Sequence, residues 1–390
     1  MNRQHIFGVS MFMVGAMLVG ILVYHRWTQS DGSAANAQAD AGNIPTGQQA
    51  AQASAVASET ENLTTSPASL EEAAEPAELA TNTPHPAPGQ AGPGQLELIE
   101  EHKLFELYPE VAAKQGNNLG ASGVLRQAGY FYVVFDGLTQ LARIPEDLSR
   151  NSADVPLLGR QVDASIDPAN LSLEDIAYND RDQRFYILAE ASRDSEGVFR
   201  ARVEVYSTQF LYQDSDWLPF VFEEANKGFE GLTFVHRAGN DYLLALCEGN
   251  NCRSDASGRE PGGGRIQVFQ ETDDGWVHAG TINLPEAVQF EDYAALDILD
   301  ERVAIVSQAS QQIWVGTLAG SAWEFVQPEG QAVEDTLYAF PGDQQAPYCN
   351  VEGIFWLTPD QVVAVSDQAQ NDQAPECRTR DQSIHLFKLP

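Results

Sequence analysis

Basic residues are scarce in this chain: 22 Lys and Arg stand against 56 Asp and Glu, a formal net charge of −34. A field of that sign repels phosphate backbones and anionic headgroups, which excludes nucleic acid as a partner. From Ser30 to Gln95 there is no aromatic residue, no Lys and no Arg. Such a stretch cannot bury enough apolar surface to offset its ordering entropy. Cysteine is thin, at 4 residues, and no His-x3–5-His partner follows Cys247-x4-Cys252, which argues against zinc. No G-x-S-x-G nucleophile elbow and no glycine-rich phosphate loop occurs; the glycines at 262–264 read as a turn before a strand. His236, His278 and His385 are isolated and read as strand or loop residues rather than catalytic bases. Uninterrupted hydrophobic runs are absent save one.

That run is residues 6–24, IFGVSMFMVGAMLVGILVY, uncharged and long enough to cross a bilayer as a helix. A secretory signal has a shorter apolar core closed promptly by a small-x-small site. Here the first such triplets, between Ala35 and Ala39, lie well beyond it. The expectation is an uncleaved transmembrane anchor at 6–24 preceded by a short cytoplasmic N-terminus, residues 1–5. Arg3 and Arg26 flank the run evenly, so charge bias does not set its orientation. Residues 25–95 read as a disordered linker rich in Ala, Gln, Pro and Glu, with a reach on the order of 45 Å. Within it, Asn62-Leu63-Thr64 matches a glycosylation acceptor.

From Leu96 the pattern changes to short apolar runs separated by Asp, Asn, Gly and Pro turns: YFYVVF (130–135), RFYIL (184–188), DYLLAL (241–246), RVAIV (302–306) and VVAV (362–365). These read as strands. Five units superimpose, recurring roughly every 50–60 residues. They are ASGVLRQAGYFYVVFDG, LEDIAYNDRDQRFYILAEAS, FEGLTFVHRAGNDYLLALCEG, FEDYAALDILDERVAIVSQAS and VEGIFWLTPDQVVAVSDQA. Further strands are expected at 264–270, 275–284, 312–318, 322–327 and 383–389. Four antiparallel strands per unit describe a propeller blade. The fold class predicted for 96–390 is therefore all-β, a β-propeller of five four-stranded blades, with a sixth, diverged blade as the rival. The last unit has three strands of its own, and an N-terminal strand near His102 to Leu107 is expected to complete it. The wider segment from Glu97 to Glu110 reads equally as a short helix or a strand pair.

Each unit opens on a polar residue followed by Gly or Asp: Ser122, Glu174, Glu230, Glu291 and Glu352. Its second strand closes on Asp136, Glu190, Glu248, Gln308 or Asp367. In a propeller the first strand lines the channel and the second runs antiparallel beside it, so both positions fall at one mouth. Eight carboxylates are thus predicted to gather there: Glu174, Glu230, Glu291, Glu352, Asp136, Glu190, Glu248 and Asp367. Crowded acids raise one another's pKa or hold a cation. Hard oxygen ligands without His or thiolate favour calcium. The competing expectation is that these acids bond to backbone N–H groups of the next blade and hold the ring together. Asp180, Asp182, Asp297 and Asp300 read as turn residues.

The cysteines fall as two local pairs, and Cys247–Cys252 and Cys349–Cys377 bridges are expected, which suits an oxidising compartment. The motifs NKGFEGLTF (226–234), SLEDIAY (172–178) and NVEGIFWL (350–357) make residues 96–390 resemble the SdiA-regulated family of bacterial proteins. That resemblance implies a membrane-anchored five-bladed propeller, distantly akin to six-bladed NHL-type propellers, with a suspected calcium site and no assigned activity. Related six-bladed propellers include calcium-dependent lactonases that bind their metal through Glu, Asn and Asp. Here Asn350 is the one obvious asparagine beside a motif, a departure from that pattern. The expected function is non-enzymatic: a calcium-binding propeller at the inner membrane, displayed in the periplasm to a small-molecule ligand or an envelope protein. A metal-dependent esterase- or lactonase-like hydrolase is the alternative, and a purely structural scaffold a third.

The anchor reading has a direct check. A reporter fused after Pro390 should be active only on the extracytoplasmic side, with the chain membrane-bound and uncleaved. A mature N-terminus near Asp40 would contradict it.

Overall fold

The computed structural model describes residues 94–390 apart from 110–118, 139, 150–157, 160–171, 226–227, 321, 327–335 and 343–344. The anchor at 6–24, Asn62 and nearly all of the linker lie outside the described residues. Among the described residues no helix is long and apolar enough to cross a membrane.

The described chain is nearly all β. Two N-terminal strands, β1 (Gly94–Gln95) and β2 (Glu97–Lys103), lead into one helical turn, α1 (Leu104–Leu107). Blade 1 is β3 (Ala121–Gln127), β4 (Tyr130–Phe135), β5 (Gln140–Pro145) and β6 (Leu158–Gly159). Blade 2 is β7 (Leu173–Asn179), β8 (Arg184–Arg193), β9 (Phe199–Ser207) and β10 (Tyr212–Trp217). Blade 3 is β11 (Phe229–Arg237), β12 (Asn240–Cys247), β13 (Arg265–Thr272) and β14 (Gly275–Asn283). Blade 4 is β15 (Ala295–Leu299), β16 (Arg302–Ser307) and β17 (Gln312–Leu318), with an outer edge split into β18 (Phe325–Val326) and β19 (Leu337–Ala339). Blade 5 is β20 (Val351–Thr358), β21 (Gln361–Ser366), β22 (Ser383–Lys388) and, at its outer edge, β2. The inner strands β3, β7, β11, β15 and β20 each touch the next, and β20 returns to β3. The ring therefore closes at five blades, as the repeat predicted.

Each second strand is apolar on both faces because a blade is sandwiched between two others. In β4, Phe131, Val133 and Phe135 pack into the core shared with blade 5, while Tyr132 and Val134 pack into the core shared with blade 2. In β12, Leu243, Ala245 and Cys247 face blade 2, and Leu244 and Leu246 face blade 4. Five such cores, one between each adjacent pair of blades, replace the single core of an ordinary domain.

The N-terminal closing strand is real but displaced from its expected place. It is Glu97–Lys103, antiparallel to β22, and Leu104–Leu107 is the helical turn. Lys103 pairs with Asp381 at 2.9 Å and Arg380 with Glu101 at 2.7 Å, so the closure is stapled by charge as well as by the ladder. Ordered pairing begins within the expected linker: Gly94 and Gln95 run parallel to Tyr338 and Ala339 of blade 4. In the 322–327 strand only Phe325 and Val326 pair. Both disulfides form as expected, with Cα separations of 5.1 Å for Cys247–Cys252 and 5.5 Å for Cys349–Cys377.

The inner strands approach one another so closely that side chains do not fit between them. A Cβ on Gly123 of β3 would lie 2.6 Å from the Asp175 Cα of β7, and one on Gly231 of β11 would lie 2.7 Å from the Leu296 nitrogen of β15. Gly231→Ala should therefore force two strands apart and destabilise the domain by about 1–3 kcal/mol in chemical denaturation. An unchanged unfolding midpoint would mean that the ring yields without cost.

Candidate functional site

The mouth is assembled by one backbone device used in four blades. The register of the inner pair breaks between Ala121 and Gly123, between Leu173 and Asp175, between Phe229 and Gly231, and between Val351 and Gly353. Ser122, Glu174, Glu230 and Glu352 are therefore the extra residues of β-bulges, which re-aim a side chain out of the regular alternation. In the same blades the amide of the closing acid bonds back two residues before the bulge. Asp136 donates to Gly120, Glu190 to Ser172, Glu248 to Gly228 and Asp367 to Asn350 at 2.7–3.1 Å. Two of the closing acids also meet the next blade: the Ser172 hydroxyl donates to Asp136, and a Cβ on Gly120 would lie 2.6 Å from Asp367 Oδ1.

Blade 4 departs from the rule: contrary to the sequence expectation, Glu291 does not stand with the other openings. Gly353 pairs with Val365, two residues before Asp367, and Ala295 pairs with Val306, two residues before Gln308. Ala294 is thus the counterpart of Glu352. Glu291 lies three residues upstream, exposed, ahead of β15. Its neighbour Asp292 turns inward, accepting from the Ser307 hydroxyl and the Ala309 amide. Blade 1 contributes the small Ser122, 2% exposed, its hydroxyl without a hydrogen-bond partner among the described residues.

Crowding is visible in the proton affinities. Burial holds Glu174 well above the usual carboxylate range, reinforced by the charges of Glu190, Asp136 and Glu352. Burial does the same to Glu352, reinforced by Asp367, Glu230, Asp136 and Asp292. Asp367 is pushed up to about 6 by burial, with Asp136 and Asp381 adding to the effect and the Gln368 amide opposing it. Glu190, Glu230 and Glu248 each bring a carboxylate oxygen within 4.8 Å of the other two, close enough for one ion to meet all three. A second trio, Asp182 in a turn and Asp241 and Glu271 near the ends of β12 and β13, meets the same distance at the opposite end of blades 2 and 3.

Two further acids, not among those predicted, latch neighbouring blades together. Asp175, 3% exposed, accepts from the Leu232 amide of blade 3 at 2.7 Å. Asp297, 6% exposed, accepts from the Trp356 amide of blade 5 at 2.7 Å and the Thr233 hydroxyl of blade 3 at 3.1 Å. Asp297 is therefore no turn residue but sits mid-strand in β15, whereas Asp180, Asp182 and Asp300 do lie in turns. Together Asp175 and Asp297 border a central cavity of about 100 Å³ otherwise walled by Val124, Ile176, Leu232 and Phe355.

The histidines are strand residues, as read. His236 pairs with Asp241 and His278 bonds Gln267 at 2.8 Å. His385, however, is not isolated. It bonds the Ser366 hydroxyl at 2.8 Å and Glu101 at 2.9 Å. This serine–histidine–carboxylate chain copies the connectivity of a hydrolase triad, but Ser366 is 1% and His385 0% exposed, so substrate does not reach it. It crosses β21, β22 and β2 and helps fasten the closing strand. Asn350 is occupied in pinning the 367–382 loop, donating to Gln368 O at 3.0 Å and accepting from Gln373 at 2.8 Å.

No family model matches the chain, and no curated protein does. Among solved structures it is similar to glutaminyl cyclase from Myxococcus xanthus, at 12% identity and a TM-score of 0.41, over 76% of this chain and 97% of that one. It is also similar to the PQQ-bound aldose sugar dehydrogenase from Streptomyces coelicolor, at 11% identity and a TM-score of 0.42, over 76% and 99%. At these scores the likenesses carry no argument about what this chain does.

Asp297 supplies a test of the latch. Burial pushes its pKa from 3.8 up to about 7, against the pull of the Trp356 and Ile298 amides. The folded state therefore holds a proton that the unfolded state releases, and stability falls as pH rises from about 4 to about 7, then levels. Fully expressed, that shift is worth on the order of 4 kcal/mol. Denaturation across this window should show a shallower loss in Asp297→Asn than in the parent protein. Parallel pH profiles would remove Asp297 from the account.

Proposed function

We propose that this chain is a membrane-anchored, extracytoplasmic propeller that holds a divalent cation, calcium, at its acidic mouth and presents that face to a ligand or protein partner. The observation that carries the reading is the meeting of Glu190, Glu230 and Glu248 at the rim, with Glu230 placed by the bulge in β11, Glu190 on β8 and Glu248 directly after β12. Three carboxylates supply hard oxygen donors without His or thiolate, which fits calcium, and water or neighbouring carbonyls would complete six to eight ligands. Glu174, Glu352, Asp136 and Asp367 form the surrounding anionic wall, and Glu291 flanks it.

Two features support a binding face. The connections after the second strand of blades 3 and 5, residues 248–264 and 367–382, are long, rise on the mouth side, and are each tied by a disulfide. Disulfides also support an oxidising compartment, and residues 6–24 would supply the inner-membrane anchor. The family motifs at 172–178, 226–234 and 350–357 supply the bulged openings of blades 2, 3 and 5, which supports kinship with the SdiA-regulated propellers. The buried Ser366 and His385 do not supply a hydrolase reading with its nucleophile and base.

An ion bound only by the folded state stabilises it by mass action. Calcium at about 100-fold above its dissociation constant should add about 2.7 kcal/mol. For an envelope protein, a constant of roughly 10⁻⁴ to 10⁻³ M suffices. Glu230→Gln should abolish the calcium-induced rise in melting temperature. Glu352→Gln, which removes a buried repulsive charge, should also raise the melting temperature measured in chelator. Identical melting of the parent protein with calcium and with chelator would leave the acids as a structural ring alone.

A further inference from the structure

Blade 4 breaks the ring of acids, and the space beside the break is lined by charges of both signs. Between the 248–264 loop of blade 3 and the start of blade 4 lies a pocket of about 250 Å³. The loop contributes Glu248, Arg253 and Arg259 to its lining, and the start of blade 4 contributes Glu291 and Asp292. Both arginines are exposed, and no salt bridge holds either guanidinium among the described residues. Asp255, near Arg253, has its carboxylate engaged by the amides of Ser257 at 3.0 Å and Gly258 at 3.2 Å. In a protein with so few basic residues, two guanidiniums lining one pocket beside three carboxylates make it a place of mixed sign.

The wall that holds them is rigid. The Cys247–Cys252 bridge closes immediately before Arg253. The Asn250 side chain bonds the Glu260 carbonyl and accepts the Tyr293 hydroxyl of the facing segment at 2.9 Å. Gly249 and Gly258 both pack against the Arg253 carbonyl. A wall fixed before the ligand arrives loses little entropy on binding.

We propose that this pocket binds a small zwitterion, a free α-amino acid, whose carboxylate is gripped by Arg253 and Arg259 and whose ammonium faces Glu291 and Glu248. A guanidinium fork matches a carboxylate bidentately, and an adjacent acid accepts the ammonium. Neither half alone suits the site: an anion without the ammonium meets the acids of the mouth, and an amine without the carboxylate meets two guanidiniums. The volume suits one residue-sized molecule. This inference extends the reading of the mouth as a ligand-presenting face, yet its contacts are separate from the Glu190–Glu230–Glu248 trio except at Glu248.

The test is calorimetric titration of the full-length protein, in calcium and again in chelator, with alanine and glutamate as zwitterions, propionate as the carboxylate alone, ethylamine as the amine alone, and a dipeptide as the longer zwitterion. At least one free amino acid should bind, with propionate and ethylamine at least tenfold weaker. Arg253→Gln and Arg259→Gln should each weaken it at least tenfold while leaving the calcium-induced melting shift intact. Glu291→Gln should weaken the amino acid and leave or improve propionate. The dipeptide binding more tightly than any amino acid would replace the free amino acid by a peptide terminus and overturn the proposal as stated. No binding by any probe, or binding indifferent to both arginine variants, overturns it outright. Loss of the calcium shift in the parent protein with amino-acid binding retained would defeat the cation reading and leave this one standing.

Discussion

The structure depends on how closely five inner strands are brought together. Each is the edge of its own sheet, and an edge leaves backbone N–H groups that must find acceptors. At the centre there is no room for a further strand to supply them, since even a methyl on Gly123 or Gly231 would collide with the neighbouring backbone. Where the opening dipeptide carries Asp instead of Gly, the side chain does the work: Asp175 takes the Leu232 amide, and Asp297, from further along β15, takes that of Trp356. Small residues and buried acids are two answers to the same crowding.

The mouth follows from that packing. A strand that converges on an axis brings its end toward the ends of four others, so any charged residue there is repeated around the ring. The β-bulge turns this to use by adding one residue whose side chain leaves the regular alternation. The result is a rim of carboxyls that oppose one another, expressed in the raised proton affinities of Glu174, Glu352 and Asp367. Such a site is unfavourable when all its members are ionised and empty. It is relieved by protons or by a cation.

Much of this was legible in the sequence, and the misses share a cause. The second strands announced themselves because a blade is covered on both faces, so YFYVVF and DYLLAL have no polar side. The pairing of opening and closing acids was legible because a hairpin fixes the distance between them. Glu291 was misplaced because the letters Phe-Glu-Asp align with Phe-Glu-Gly, whereas register is set by the ladder, and there Ala295 faces Val306. The closing strand was displaced because LELIEEHKLFEL fits more than one period. Asp175, Asp297 and the Ser366–His385–Glu101 chain were illegible for a stronger reason. Their partners lie on other strands or other blades, and sequence spacing does not report which amide faces which carboxylate across a ring.

The departures from fivefold repetition are where function has room to act. A uniform ring of ten carboxyls would present one sign in every direction and distinguish nothing beyond charge. Here the bulge is acidic in blades 2, 3 and 5 and a serine in blade 1, while in blade 4 there is no bulge and the two rim positions are Ala294 and Gln308. The acids therefore converge most tightly between blades 2 and 3, at Glu190, Glu230 and Glu248. Beyond blade 3 the two rim positions are uncharged, and there the disulfide-tied loop after β12 lines a pocket with Arg253 and Arg259 beside Glu291 and Asp292 of blade 4. Glu248 belongs to both neighbourhoods. A mouth that is anionic on one side of Glu248 and mixed on the other offers two chemistries: on the proposed readings, the first would draw a bare cation and the second would take a molecule bearing both signs.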